Sequence, residues 1–380
     1  MALKCKRKDV WILLGMGITL VVTIIASLMI GRFEISIREC LGILASKFFH
    51  VEPFWTQIQD NMITYVRIPR VLIAAMVGMA LSVSGTSYQC IFRNPMAAPD
   101  VLGASTGAAF GAALAILQGR SNTTITIWAF VASIVCVALV MICAKLCKGN
   151  PVLSLVLSGI MIGSLFQAAT SYLKLIADPH NTLPAITYWL MGSLSGASLE
   201  KAGYVWIPML IGLIPIFALR WRMNLLTMED DEARAIGVHT RRDRTIIILC
   251  STLLTAASVS VSGIIGWVGL VIPHISRKMV GNDCRRLIPA AGLFGAIFMI
   301  LVDDLARNLY TMLPVLHFPA DRMILPYSRI SPASRRCACN LRRNRAASEF
   351  LPADLVSSCT PSFKKSGPPS EERRPSSCAL

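Results

Sequence analysis

Two neighbouring carboxylates, Asp303 and Asp304, and a lone histidine, His274, are the first residues of this 380-residue chain whose types suggest chemistry. Paired acids at bilayer depth would suit proton or ion coupling, and a histidine with a second ligand in register would suit a metal. Neither pattern is completed. The aspartates stand near the end of an apolar run, and His274 has no second His or carboxylate in register, so it reads as an interfacial histidine. No Ser/His pair, paired Asp or HExxH stands inside an apolar run, which disfavours an intramembrane hydrolase. The 12 cysteines form no CxxC with a matching pair of Cys or His, and most lie in apolar runs, where Cys behaves as a small hydrophobe. Neither a metal, a disulfide framework nor a cofactor is expected. The phosphate loop GxxxxGK[ST] does not occur, so this sequence has no nucleotide-hydrolysing motif of its own.

What remains is binding and mechanical chemistry. Arg67 and Arg70 are three apart and share one face if helical. Two arginines there either snorkel to lipid phosphates or offer a docking patch to carboxylates of an external partner. Downstream, "RNPMAAPD" (93–100) places Pro95 and Pro99 where a helix must break, with Asp100 in a position to cap its restart. Broken backbone at membrane depth must line a cavity or be covered by protein. A third segment, "RWRMNLLTMEDDEARAIGVHTRRDR" (220–244), carries Leu225, Leu226, Met228, Ala233, Ile236 and Val238 amid charge. It reads as one or two short amphipathic helices with a turn at Gly237, a contact surface for a cytoplasmic partner rather than a solvated loop. In a fourth, Gly263, Gly266, Gly269 and Pro273 predict a reoriented helix start.

The elements that must position these residues are membrane helices. Hydrophobic residues make up 54% of the chain, charged ones 15%, and the mean hydropathy is +0.60. That balance predicts an all-α, polytopic membrane bundle. The net charge of +16 is spread through short loops between apolar runs, which argues against nucleic acid. Nine apolar runs reach spanning length, near 10–30, 64–92, 95–117, 124–144, 152–176, 203–219, 245–263, 264–280 and 287–306. With a cytoplasmic N-terminus, the inside segments up to residue 310 hold 17 Lys and Arg against 9 outside, in line with the positive-inside tendency. Arg67, Arg70 and Arg307 then fall at outer span ends, where positive charge is not favoured. Small residues in "GASTGAAFGAALA" and "SGIMIGS" let helix backbones approach closely.

In this order, "R-x-P-R" at 67–70, "SG…Q…RNP…P…LG…G", "WLMGSLSGAS" (189–198), "EARAIGV" (232–238) and "GWVGLVIPHISR…DCRRLIP…DLAR" resemble the FecCD family of ABC-type permeases. Members of that family import iron-siderophore complexes, haem and cobalamin in bacteria. The resemblance covers residues 60 to 307. It implies a ten-span permease paired with a second copy or a paralogue in the cytoplasmic membrane, working by alternating access. A separate cytoplasmic ATPase dimer supplies the energy and an extracytoplasmic substrate-binding protein delivers the cargo. By resemblance, Arg67, Arg70 and Arg307 receive glutamates of the binding protein. The loop 222–243, with Leu225, Leu226, Glu232, Ala233, Arg234, Gly237 and Val238, seats in the ATPase. Asn94 and Met96, with Val152 and Leu153, contribute to the cytoplasmic gate.

The resemblance stops after Tyr310, where a tenth span is expected. Residues 311–380 hold 11 Lys and Arg against 5 Asp and Glu, 9 of the 20 prolines and 4 of the 12 cysteines. Such a segment cannot bury enough apolar surface to order itself, and its net +6 would lie outside after nine spans. The composition fits a change of reading frame near 310–316 better than a lineage-specific binding tail. The sequence therefore predicts a permease domain at 1–310, a disordered basic tail at 311–380, and metal-chelate import as the function. A defective permease copy and, less well, an ion-coupled secondary transporter are the alternatives.

Overall fold

The computed structural model describes residues 7–31, 35–47, 49, 54–147, 151–228, 232 and 239–312, which belong to one compact unit. The expectations for the tail fall outside the described residues. Those residues are helical, with no strand among them. In order they form α1 (Arg7–Met29), α2 (Ile37–Ser46) and α3 (Gln57–Asn61), the last continuing through a π-helical segment, Met62–Arg67, into α4 (Ile68–Ile91). A 3-10 turn, Pro99–Leu102, then leads to α5 (Ala104–Leu117), α6 (Asn122–Leu146), α7 (Pro151–Ile176), α8 (Thr182–Met191) and α9 (Leu199–Leu226). α10 (Thr240–Ser262), α11 (Val268–Val280) and α12 (Cys284–Met312) complete the bundle.

Helix starts follow side-chain chemistry. Ser36 and Thr56 make reciprocal capping boxes with Glu39 and Gln59, and the hydroxyls of Ser121 and Ser198 accept from the third helical residue. The Ser36 N–H donating to Glu39 holds that carboxyl below its usual range. Among the described residues, seven helical stretches are long and apolar enough to cross a bilayer. Two of the nine runs, 95–117 and 264–280, form shorter helices instead, α5 and α11. The reason is local: Pro95 and Pro99 hold 94–103 out of the α-helix, and Gly263 (φ +68) ends α10 before α11 begins at Val268. Asp100 caps from a distance, since α5 begins after Gly103 (φ +73) and the Asp100 carboxylate accepts the Ser105 N–H at 3.1 Å.

The apolar order is inverted relative to a water-soluble bundle. In α4, α10 and α12, 61%, 67% and 67% of the most apolar stretch is buried, whereas the share is 22% in α1 and 28% in α6, α7 and α9. The outer helices turn Leu14, Ile18, Val131, Leu139, Leu165, Ile207 and Ile211 outward. Only a hydrocarbon solvent or another apolar surface accommodates such a face. The interior is built from small and hydroxylated residues. A Cβ on Gly78 of α4 would stand 2.2 Å from the Gly295 carbonyl of α12, and one on Gly85 would stand 1.8 Å from the Gly269 carbonyl of α11. Hydroxyl pairs stitch α4 to α10, Ser84 to Thr255 and Tyr88 to Thr252, each at 2.8 Å. Without a hydrophobic force between helices in lipid, close backbone approach and such bonds carry the association. α4 is thus the mast of the fold, packed along α12 and touched by α9, α10 and α11, while α5, α6 and α7 pack on one another beside it.

Candidate functional site

α4 and α12 run antiparallel, so one end of the bundle gathers the N-terminus of α4 with the C-terminal part of α12. The opposite end gathers the residues after α4 with the start of α12.

The first end holds all three sequence-predicted docking arginines, in different roles. Arg67 is 4% exposed, and its Nη1 donates to the carbonyls of Leu28 and Met29 at 2.6 and 3.0 Å, completing the C-terminus of α1. Arg70 grips Asp303 bidentately, Nε to Oδ2 at 2.9 Å and Nη2 to Oδ1 at 2.8 Å. Arg307 pairs with Asp303 Oδ2 through Nε at 3.2 Å and with Asp304 through Nη2, which also reaches the Ser27 hydroxyl at 2.9 Å. The Ser27 hydroxyl donates to Asp304 at 2.6 Å. Asp303 and Asp304 are 6% and 8% exposed. Sequence reading placed the aspartates only near a span end and weighed them for ion coupling. Their spacing, four and three residues before Arg307, was the available signal that they serve as its counter-ions.

The opposite end is a knot around the last turn of α9. Arg93, with φ +51 rare for a residue bearing a Cβ, sends Nε to the Leu226 carbonyl at 3.3 Å and Nη2 to the Met228 carbonyl. Asn224 donates to Asp283 at 2.7 Å and accepts the Cys284 N–H at 2.8 Å, joining α9 to α12. Arg222 reaches both Asp243 oxygens at 3.3 Å, joining α9 to α10. Arg93 and Asp283 stood in the sequence only as letters of the RNP and DCRRLIP signatures, and Asn224 and Asp243 as members of the 220–244 segment, with no individual role. The type of a polar residue does not name its partner when that partner lies on another element.

Of the residues expected at the gate, Asn94 and Met96 are exposed on the turn after α4, where the Asn94 side chain accepts the Met96 N–H at 2.9 Å. Val152 and Leu153 sit in the first turn of α7, Leu153 exposed. The proline-rich turn meets α7 further along: a Cβ on Gly159 would stand 2.2 Å from the Val101 carbonyl. Of the residues expected to couple to an ATPase, Leu225 and Leu226 belong to the last turn of α9, with Leu226 buried, and Glu232 is exposed. Ala233, Arg234, Gly237 and Val238 lie outside the described residues. His274 is exposed on α11, and among the described residues no group of three or more His, Cys, Asp or Glu could hold a metal.

A multi-span bundle with a proline-broken segment after its second span, an arginine-rich end and a knotted loop base matches one family model over residues 19–316. The chain belongs to the FecCD transport family. It is 39% identical over 300 residues to the molybdate import system permease protein MolB of Haemophilus influenzae, covering 78% of this chain and 88% of that one. It is likewise 39% identical over 254 residues to the hemin transport system permease protein HmuU of Yersinia pestis, covering 64% and 74%. A solved metal-chelate type ABC transporter in an inward-facing conformation superposes with a TM-score of 0.71 at 38% identity, over 79% of this chain and 91% of that one. As a FecCD protein, the chain is a multi-pass permease, a transport subunit of an ABC transporter.

Proposed function

We propose that this FecCD permease imports an iron-siderophore or related metal chelate into a bacterial cell across the cytoplasmic membrane. It pairs with a second permease subunit, draws on a separate ATPase dimer and receives cargo from an extracytoplasmic binding protein. The observation that carries the reading is the likeness, at 38% identity, to a metal-chelate type transporter over nearly all of that chain. In this reading, movement of the segment after α9 reaches the gate turn through Arg93, whose backbone precedes Asn94 and whose side chain holds the α9 end. Arg70 and Arg307 face the binding protein, and Arg67 secures the end of α1 beside them.

The test is reconstitution of the full chain with its ATPase and binding protein. ATP-dependent uptake of a labelled ferric chelate is then compared with uptake of haemin, cobalamin and molybdate. Saturable uptake of the ferric chelate alone supports the assignment. Preference for molybdate would move the substrate to the oxyanion class, and uptake without ATP would overturn the ABC mechanism for this chain.

A further inference from the structure

The docking arginines proposed above are already occupied. Arg70 gives Asp303 a two-pronged grip, the geometry a guanidinium offers to any carboxylate, so an arriving glutamate would seek the same donors. Arg307 is shared between Asp303 and Asp304, and Asp304 is fixed from a second side by the Ser27 hydroxyl. Arg67 is engaged with two carbonyls at the end of α1. The side chains of Arg70 and Arg307 keep 21% and 14% of their surface open, so each still shows an edge outward. An arginine serving lipid phosphates would extend its guanidinium away from the bundle; these two turn theirs onto α12.

We infer that Asp303 and Asp304 are resident competitors for the arginines, so that docking of an acidic partner surface is an exchange of carboxylates rather than a filling of empty sites. The inference rests on the docking role proposed for Arg70 and Arg307. Two consequences follow from the geometry. Observed affinity is the difference between a new pair and an existing one, which keeps docking weak enough to reverse in each transport cycle. The exchange also loosens a junction of three helices, since Ser27 lies on α1, Arg70 on α4, and Asp303, Asp304 and Arg307 on α12. Docking is thereby felt inside the bundle.

The measurement is the affinity of the substrate-binding protein for the full chain in lipid nanodiscs, wild type against variants, with thermal melts to confirm folding. Asp303→Asn is expected to tighten binding threefold or more by freeing the Arg70 fork. Asp304→Asn, which leaves that fork intact, is expected to tighten it about twofold. Arg70→Glu is expected to weaken it tenfold or more. If Arg70→Glu weakens binding but neither aspartate variant tightens it, the exchange is wrong and the docking role stands. If Arg70→Glu and Arg307→Glu both leave binding unchanged, the docking role itself fails. If wild-type affinity rises threefold or more when phosphatidylglycerol is replaced by phosphatidylcholine and Asp303→Asn adds nothing in either lipid, headgroups and not the aspartates are the competitors and the exchange is overturned.

Discussion

Arg67 is where charge and burial conflict most directly. A guanidinium at 4% exposure is tolerated because it donates to the Leu28 and Met29 carbonyls, and those carbonyls, at a helix end, have no intrahelical donor. Arg67→Ala removes both bonds and leaves buried acceptors unsatisfied. Thermal unfolding in detergent should show a loss of about 2–3 kcal/mol, with Arg67→Lys recovering part of it through a single ammonium donor. A separate partition applies at Arg70 and Arg307, whose partners are carboxylates. Arg70→Ala leaves Asp303 paired with Arg307 and should cost less in stability than Asp303→Ala, which removes the carboxylate held by Arg70 and one of the two paired with Arg307.

Among the elements, α4 shows how glycine spacing sets helix packing. Gly85 faces the backbone of α11 so closely that a methyl group would fall 1.8 Å from the Gly269 carbonyl. Backbone cannot swing aside as a flexible side chain can, so Gly85→Ala should lower stability by about 1–3 kcal/mol or prevent assembly. Gly203→Ala on α9 meets open space and should be neutral or gain up to about 1 kcal/mol from helix propensity. The base of the segment after α9 works on a larger lever. Arg93 ties the turn carrying Asn94 and Met96 to the end of α9, and Asn224 ties the same end to α12. Arg93→Ala should therefore lower transport per ATP hydrolysed about tenfold while leaving expression and basal hydrolysis near wild type. Equal loss of both would mean that Arg93 serves assembly rather than coupling.

For the whole molecule, the distribution of apolar surface makes a claim about surroundings. The outer faces of α6, α7 and α9 are apolar and exposed, while the most apolar stretches of α4, α10 and α12 are largely buried. Carbene photolabelling from a lipid-soluble reagent should mark Ile127, Val131, Leu165 and Ile207 and spare Val77, Leu81 and Ile300. Assembly with a second permease subunit should remove label from one contiguous set of the exposed residues and leave the rest. Labelling spread evenly over α4 would contradict the central position of that helix.

Composition and apolar run length were enough to make the chain an all-helical membrane bundle, because the bilayer leaves few other ways to satisfy backbone polar groups. The breaks before α5 and α11 were equally legible, since Pro95, Pro99 and Gly263 act through their own backbone geometry, whatever surrounds them. Other features required the tertiary structure. Arg67 and Arg70, three residues apart, read alike in sequence, yet one completes α1 and the other binds Asp303 across 233 positions of chain. Leu225 and Leu226 read as part of a separate short amphipathic helix, but the long membrane helix α9 continues through them because its final turn is held from outside by Arg93, Asp243 and Asp283. Local rules act between neighbours in the chain, whereas an ion pair or a helix cap drawn from another element depends on what folding brings within about 3 Å.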